Sequence, residues 1–338
     1  MSSSASAFAR ATGIGSWPGT TAREAAEIVV GELHTLPHLV ELPGRGVGAD
    51  MIGRAGGLLV DIAVDTVPRG YRIVPRPGAV TRRALSLLRE DVDALEEAWE
   101  TAGAGAPDRM VKVQAPGPVT LAAQLELGNG HRAITDAGAL RDLAASLAEG
   151  VSVHAAEVAR RLGSPVVVQF DEPLLPAALA GRLSGVTSMT PVHPVDEVVA
   201  IELLDLCATV GPVAVHCCAA EVPWKVLQRS KIAAVSVDVG ALAAGDLDGV
   251  GEFVESGRAV LLGVVPTTAP AKPPAVEEVA TAAAAVTDRL GFARNVLRER
   301  VGITPGCGLA GATPEWARRA VELCQRTADG FAQDPEAV

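Results

Sequence analysis

The sequence predicts an α/β fold, a single (β/α)8 TIM barrel spanning residues 1–338 as one domain. Three observations point there. Short Val-rich runs alternate with longer Ala/Leu/Glu/Arg-rich stretches, the βαβα rhythm of a parallel sheet. Hydrophobic residues make up 49% of the chain but aromatics only 3%, so the core must be built from Val, Leu, Ile and Ala, as in sheets covered on both faces by helices. No glycine-rich phosphate loop joins a strand directly to a helix, which sets the barrel ahead of an open doubly wound sheet.

The β-like runs lie near residues 12–15 and 58–64, then at 111–113, 165–170, 213–216, 233–238, 259–265 and 301–304. Helix starts are marked between them. Thr21-Ala22-Arg23-Glu24 reads as a capping box opening a helix to about Leu33. Residues 137–162 form a long helical stretch. Thr313-Pro314-Glu315 supplies an N-cap, a proline at the first helical position and an acid in the first turn, for a helix ending before Gly330. The Pro-rich stretch 266–274 reads as a long βα loop, because the rhythm resumes beyond it.

A net charge of −11 with no Lys/Arg cluster argues against nucleic-acid binding. The longest apolar runs are too short to span a bilayer, and the Ser/Ala-rich start lacks a signal-peptide core, so no membrane association is expected. Five cysteines are a poor disulfide framework in a chain of 338 residues. The expectation is a reduced, cytoplasmic protein.

A barrel of this kind builds its active site at the C-terminal ends of the strands. There the sequence places Ser16, Gln114, the pair Asp171-Glu172, His216-Cys217-Cys218, Asp238 and Cys307. His216 and Cys218 are two apart, so in an extended segment both side chains point the same way and can reach one ion. Cys307, from another strand end, can supply a third ligand. Asp238 can supply a fourth, exchangeable oxygen. Zinc accepts this donor set. The alternative is that the cysteines are small buried hydrophobes and the histidine a hydrogen-bonded core residue. Cys207, Cys217 and Cys324 are read as structural.

Five fragments in order resemble the C-terminal catalytic barrel of the cobalamin-independent methionine synthase family, within the wider uroporphyrinogen decarboxylase/methionine synthase-like superfamily. They are Ile14-Gly15-Ser16-Trp17-Pro18, Gly117-Pro118-Val119-Thr120, Gln169-Phe170-Asp171-Glu172-Pro173, His216-Cys217-Cys218 and Gly306-Cys307-Gly308-Leu309. The resemblance implies zinc held by His216, Cys218 and Cys307, with a homocysteine thiol activated on the metal. It also implies that Ser16 contacts the amino-acid part of the substrate through its backbone. Asp171 would receive the ammonium group as the catalytic-site carboxylate.

Two positions depart from the family pattern. Asp238 stands where the family's fourth ligand is Glu. Arg45 falls near a Glu that helps hold the substrate ammonium, and a guanidinium there suits a carboxylate, sulfonate or phosphate instead. Glu41 takes over the Glu role if the loop folds differently. The implied partners are a small-molecule thiol and a methyl donor, either a folate or a corrinoid. The segment Leu121-Ala122-Ala123-Gln124 lacks the Trp found nearby in full-length enzymes, which weakens folate stacking. Alternatives are an anionic thiol such as coenzyme M, a non-catalytic zinc- or ligand-binding paralogue, and a decarboxylase of the wider superfamily.

Overall fold

The computed structural model describes residues 6–103, 108–185 and 191–337. Its centre is a six-stranded parallel sheet in the order β3 (Val111–Pro116), β5 (Val166–Asp171), β6 (Val213–Cys217), β7 (Ala234–Asp238), β8 (Ala259–Val265) and β9 (Val301–Pro305). Two extended segments carry the sheet from one edge to the other. Ala11 bridges Ile303 of β9 in parallel, His38 bridges Lys112 of β3, and Ser16 bridges Glu41 between the two segments. The amides of Thr12, Leu39 and Glu41 bond the carbonyls of Ile303, Lys112 and Gly15 at 3.1, 2.9 and 3.1 Å. Eight extended positions thus form the ring, joined at this seam by single bridges.

The expected second strand, 58–64, is corrected. The ring position belongs to residues 38–41, a short run between Pro37 and Pro43 that carries the buried polar groups His38 and Glu41. Leu58 instead ends a turn after α2 (Met51–Ala55). Its apolar neighbours lead into β1 (Ala63–Val67), which pairs antiparallel with β2 (Gly70–Val74). A short β4 (Leu125–Glu126) completes this small outer sheet. Glu126 there is buried and accepts Arg69 Nε at 2.9 Å and Arg72 Nη2 at 2.8 Å.

Helices cover the ring. They are α1 (Ala22–Glu32), α3 (Ala79–Thr101), α4 (Pro118–Gln124), α5 (Ala137–Leu162), α6 (Leu175–Leu179), α7 (Glu197–Cys207), α8 (Trp224–Arg229), α9 (Asp246–Glu255), α10 (Val276–Arg289), α11 (Val296–Arg300) and α12 (Pro314–Gln333). α5 matches its expected span, capped by Asp136 at the Ala139 amide (2.8 Å) and stopped by Gly163 at φ +58. α1 starts after Thr21, but the Thr21 side chain makes no capping bond. Thr313 does cap α12, at 3.2 Å from the Trp316 amide. α12 runs through Gly330 because Phe331, 1% exposed, extends its apolar face. Residues 266–275 form the loop between β8 and α10, as expected. Among the described residues no helix is long and apolar enough to cross a membrane.

Strand alternation splits the barrel by height. Outward residues such as Val168, Phe170, Val213 and Val215 pack under the helices. The first inward residues, Val167, Ala214, Ala234 and Ala259, are small or branched and close around Phe8. The next inward positions carry polar groups: Lys112, Gln114, Gln169, Asp171, His216 and Ser236, all buried. The bottom of the barrel is therefore a sealed apolar plug, and the top is a buried polar layer.

Candidate metal centre and substrate pocket

His216 ends β6, Cys218 follows it, and Cys307 follows β9. Their ligand atoms all lie within 4.8 Å of one another. The Sγ atoms of Cys218 and Cys307 are 3.3 Å apart. Ser236 Oγ, on the neighbouring strand, holds His216 Nδ1 at 3.0 Å. His216 Nε2 is buried without a hydrogen-bond partner among the described residues. A buried ring nitrogen left unpaired beside two sulfurs is a costly arrangement unless an ion fills it, so these residues fit a soft divalent metal such as zinc. The contact with Cys218 pulls the Cys307 thiol down to about 4, helped by His216 and the Gly308 amide, while the same contact and burial push Cys218 up.

The set opens on a cavity of about 440 Å3 lined also by Ile14, Ser16, Glu41, Met51, Asp171 and Gly308. A larger groove of about 770 Å3, beside α1 and α3, is open and contains none of these groups. Ser16 Oγ packs so closely on Gly308 that a Cβ there would overlap it. This explains the glycine after Cys307: the backbone must approach the Ser16 loop.

The two pocket carboxylates rest on a buried network. Lys112 Nζ donates to Ile14 O at 2.8 Å and to Gln169 Oε1 at 2.6 Å. Gln169 Nε2 donates to Asp171 Oδ1 at 2.7 Å and to Ile14 O at 2.8 Å. Burial pushes Asp171 up to about 7, against the pull of His216 and Lys112. Burial pushes Lys112 down to about 7, against Asp171 and Glu41. Glu41 is also raised by burial, with Arg54, Gln114 and Lys112 opposing. One internal lysine thus serves both carboxylates and pins the Ile14 carbonyl beside Ser16.

The sequence profile of the cobalamin-independent synthase catalytic domain matches residues 8–329. The chain belongs to this family. No curated protein sequence matches significantly. Among solved structures, a B12-independent methionine synthase from Shewanella sp. W3-18-1, in complex with selenomethionine, is 14% identical with a TM-score of 0.62, covering 98% of this chain and 100% of that one. A methyltransferase from Methanosarcina mazei is 17% identical with a TM-score of 0.54, covering 92% and 85%. Family membership supports a methyltransferase-type activity on small molecules.

Within this family barrel the expected residues separate. His216, Cys218 and Cys307 come together as a group with the donors to hold a metal ion, and Ser16 and Asp171 line the same cavity beside it. Asp238 is outside that group. Its Oδ1 accepts the Gly240 amide at 2.9 Å, and its carboxylate lies against Gly306. Arg45 does not line the pocket. It sits in the 3-10 turn Pro43–Arg45, and its Nη2 bonds Asp91 Oδ1 at 2.6 Å. Glu41 lines the pocket instead. Its signal was weak in sequence, because one acid among Leu39, Val40 and Leu42 looks like a loop edge. Ser236 and Lys112 were missed. Their signal was a polar side chain at an inward position of an otherwise apolar strand.

Glu172 braces the segment from Gly117 to Thr120. The Glu172 carboxylate accepts the Val119 and Thr120 amides at 2.9 and 2.8 Å and Thr120 Oγ1 at 2.6 Å, capping α4. A Cβ at Gly117 would overlap that carboxylate. The Gly-Pro-Val-Thr and Asp-Glu-Pro fragments therefore lock into each other.

Proposed function

We propose that this chain, as one catalytic barrel domain over residues 1–338, is a zinc-dependent methyltransferase that methylates homocysteine to methionine in the cytoplasm. The observation that carries this reading is the pocket itself. It brings two carboxylates, Glu41 and Asp171, and a His/Cys/Cys group into one small cavity, Asp171 standing next to His216 on the neighbouring strand. A ligand matching both kinds of group carries a thiol and an ammonium group a few bonds apart.

In this reading His216, Cys218 and Cys307 hold zinc. Bound there, zinc supplies a positive charge that lowers the pKa of a substrate thiol. Zinc held by these three residues would keep a position open to a substrate thiol. Asp171 and Glu41 accept the ammonium through charge-assisted hydrogen bonds, which orients the sulfur toward the pocket mouth. The Ser16 backbone meets the amino-acid carboxylate. Lys112 and Gln169 keep Asp171 and the Ser16 loop in register. The S–CH3 bond forms as the donor–CH3 bond breaks, the electron pair leaving with the donor, and the thiol proton has already gone to solvent on binding.

The anionic-thiol alternative rested on Arg45. With Arg45 paired to Asp91, that guanidinium is engaged away from the cavity. Methionine formation from homocysteine with methylfolate and with methylcobalamin as separate donors tests the proposal and identifies the donor. Asp171→Asn should raise the KM for homocysteine by about tenfold or more, since a charge-assisted bond to ammonium is lost. No methionine with any methyl donor, from zinc-loaded protein, would overturn the assignment.

A further inference from the structure

Glu41, which the sequence offered only as a substitute for Arg45, is the second pocket carboxylate, and it is buried among cations. Arg54 Nε of α2 stands 3.6 Å from Glu41 Oε1, with a side chain only 4% exposed. Lys112 faces Glu41 from β3, and the Gln114 side chain bonds it. Left alone, these cations would consume the charge that an incoming ammonium must find.

Asp91 prevents this. It lies on α3, fully buried, outside the barrel and away from the cavity lining. Arg54 Nη1 bonds its Oδ2, and Arg45 Nη2 bonds its Oδ1 at 2.6 Å. Both carboxylate oxygens are therefore engaged by guanidiniums. Arg54 Nε, by contrast, has no hydrogen-bond partner among the described residues. The arginine is oriented to Asp91 first and to Glu41 only loosely. We infer that Asp91 is a positioning residue: by neutralising Arg54 and Arg45 from behind, it keeps the Glu41 carboxylate available to a cationic group in the pocket, and so sets the preference for amino-thiols over thiols without an amino group. The inference rests on the proposed pocket assignment and extends it to residues that touch no ligand.

Arg45 has a second carboxylate, the exposed Glu90, at 3.7 Å, whereas among the described residues Arg54 has only Asp91 and Glu41 as ion-pair partners, so removing Asp91 leaves Arg54 with Glu41 alone. A surplus cation in a low-dielectric site acts strongly on its nearest anion. Asp91→Asn should thus turn Arg54 onto Glu41, and Arg54→Met in the same protein should release Glu41 again.

The test is calorimetric binding of homocysteine and of its des-amino analogue to zinc-loaded protein, with no methyl donor present. Wild type should prefer homocysteine. Asp91→Asn should cut that preference by about tenfold, the loss of one charge-assisted contact, and the Arg54→Met/Asp91→Asn double variant should restore most of it. If Asp91→Asn does not fold, Arg54→Met alone and the double variant carry the test, and both should keep the wild-type preference. An unchanged preference in Asp91→Asn, or a double variant as indifferent as the single, overturns the inference. A wild-type protein that binds both thiols equally would instead overturn the pocket assignment beneath it.

Discussion

His216 is useful to a metal only if its ring is held still. Ser236 Oγ at Nδ1 does this, and it leaves Nε2 facing the two sulfurs. Such outer contacts commonly change metal affinity by about 10- to 100-fold. Ser236→Ala should therefore weaken zinc binding by about tenfold or more, read by competition with a chromogenic chelator, while Ser236→Thr keeps most of it. Equal affinity in Ser236→Ala would remove Ser236 from the account. At this scale the sequence named the His/Cys/Cys set that the structure brings together, and not the residues that support it. His216, Cys218 and Cys307 stand out by donor type and spacing. Ser236 and Lys112 do not, because an isolated polar residue in a strand acquires meaning only when the barrel turns it inward. Arg45 shows the opposite error. Its residue type suggested an anion site, but a buried acid 46 residues away on α3 claims it.

The strand-end loops are fixed by contacts between fragments, and this gives two predictions. Glu172 is held by three donors and has no room to move, so Gly117→Ala should cost about 1–3 kcal/mol by overpacking. Gly128→Ala, with nothing within 4 Å of the added methyl, is the control in the same urea titration and should cost far less. The outer sheet is fastened by Glu126. Burial raises its carboxyl, but Arg72 and Arg69 outweigh this and hold it below its ordinary value. A depressed carboxyl contributes stability above its unfolded pKa and loses it as pH falls through the folded one. The stability gap between wild type and Glu126→Gln should therefore shrink as pH falls below 4.5. A gap independent of pH in acid would contradict this. Element legibility followed periodicity. The strands from β3 onward are runs of branched residues, and the sequence placed all but the two-residue β4. The second ring position failed because His38 and Glu41 break the apolar run, whereas 58–64 imitates a strand while serving the outer hairpin.

Over the whole molecule, the apolar plug around Phe8 and the helical shell provide a scaffold, and the polar layer above them is an internal charge network open to one cavity. Metal binding draws on this scaffold by linkage: an ion that binds only the folded state stabilises it. Thermal unfolding of chelator-treated protein should shift upward on adding zinc. The shift should fade in acid as protons compete with the ion for its ligands, and it should be absent in Cys307→Ala. The most direct test of the central claim is X-ray absorption at the zinc edge before and after homocysteine. The account predicts about one zinc per chain, and one added sulfur ligand at ~2.3 Å when homocysteine binds. A zinc environment that does not change with homocysteine, or a well-folded protein that retains no zinc, would contradict it.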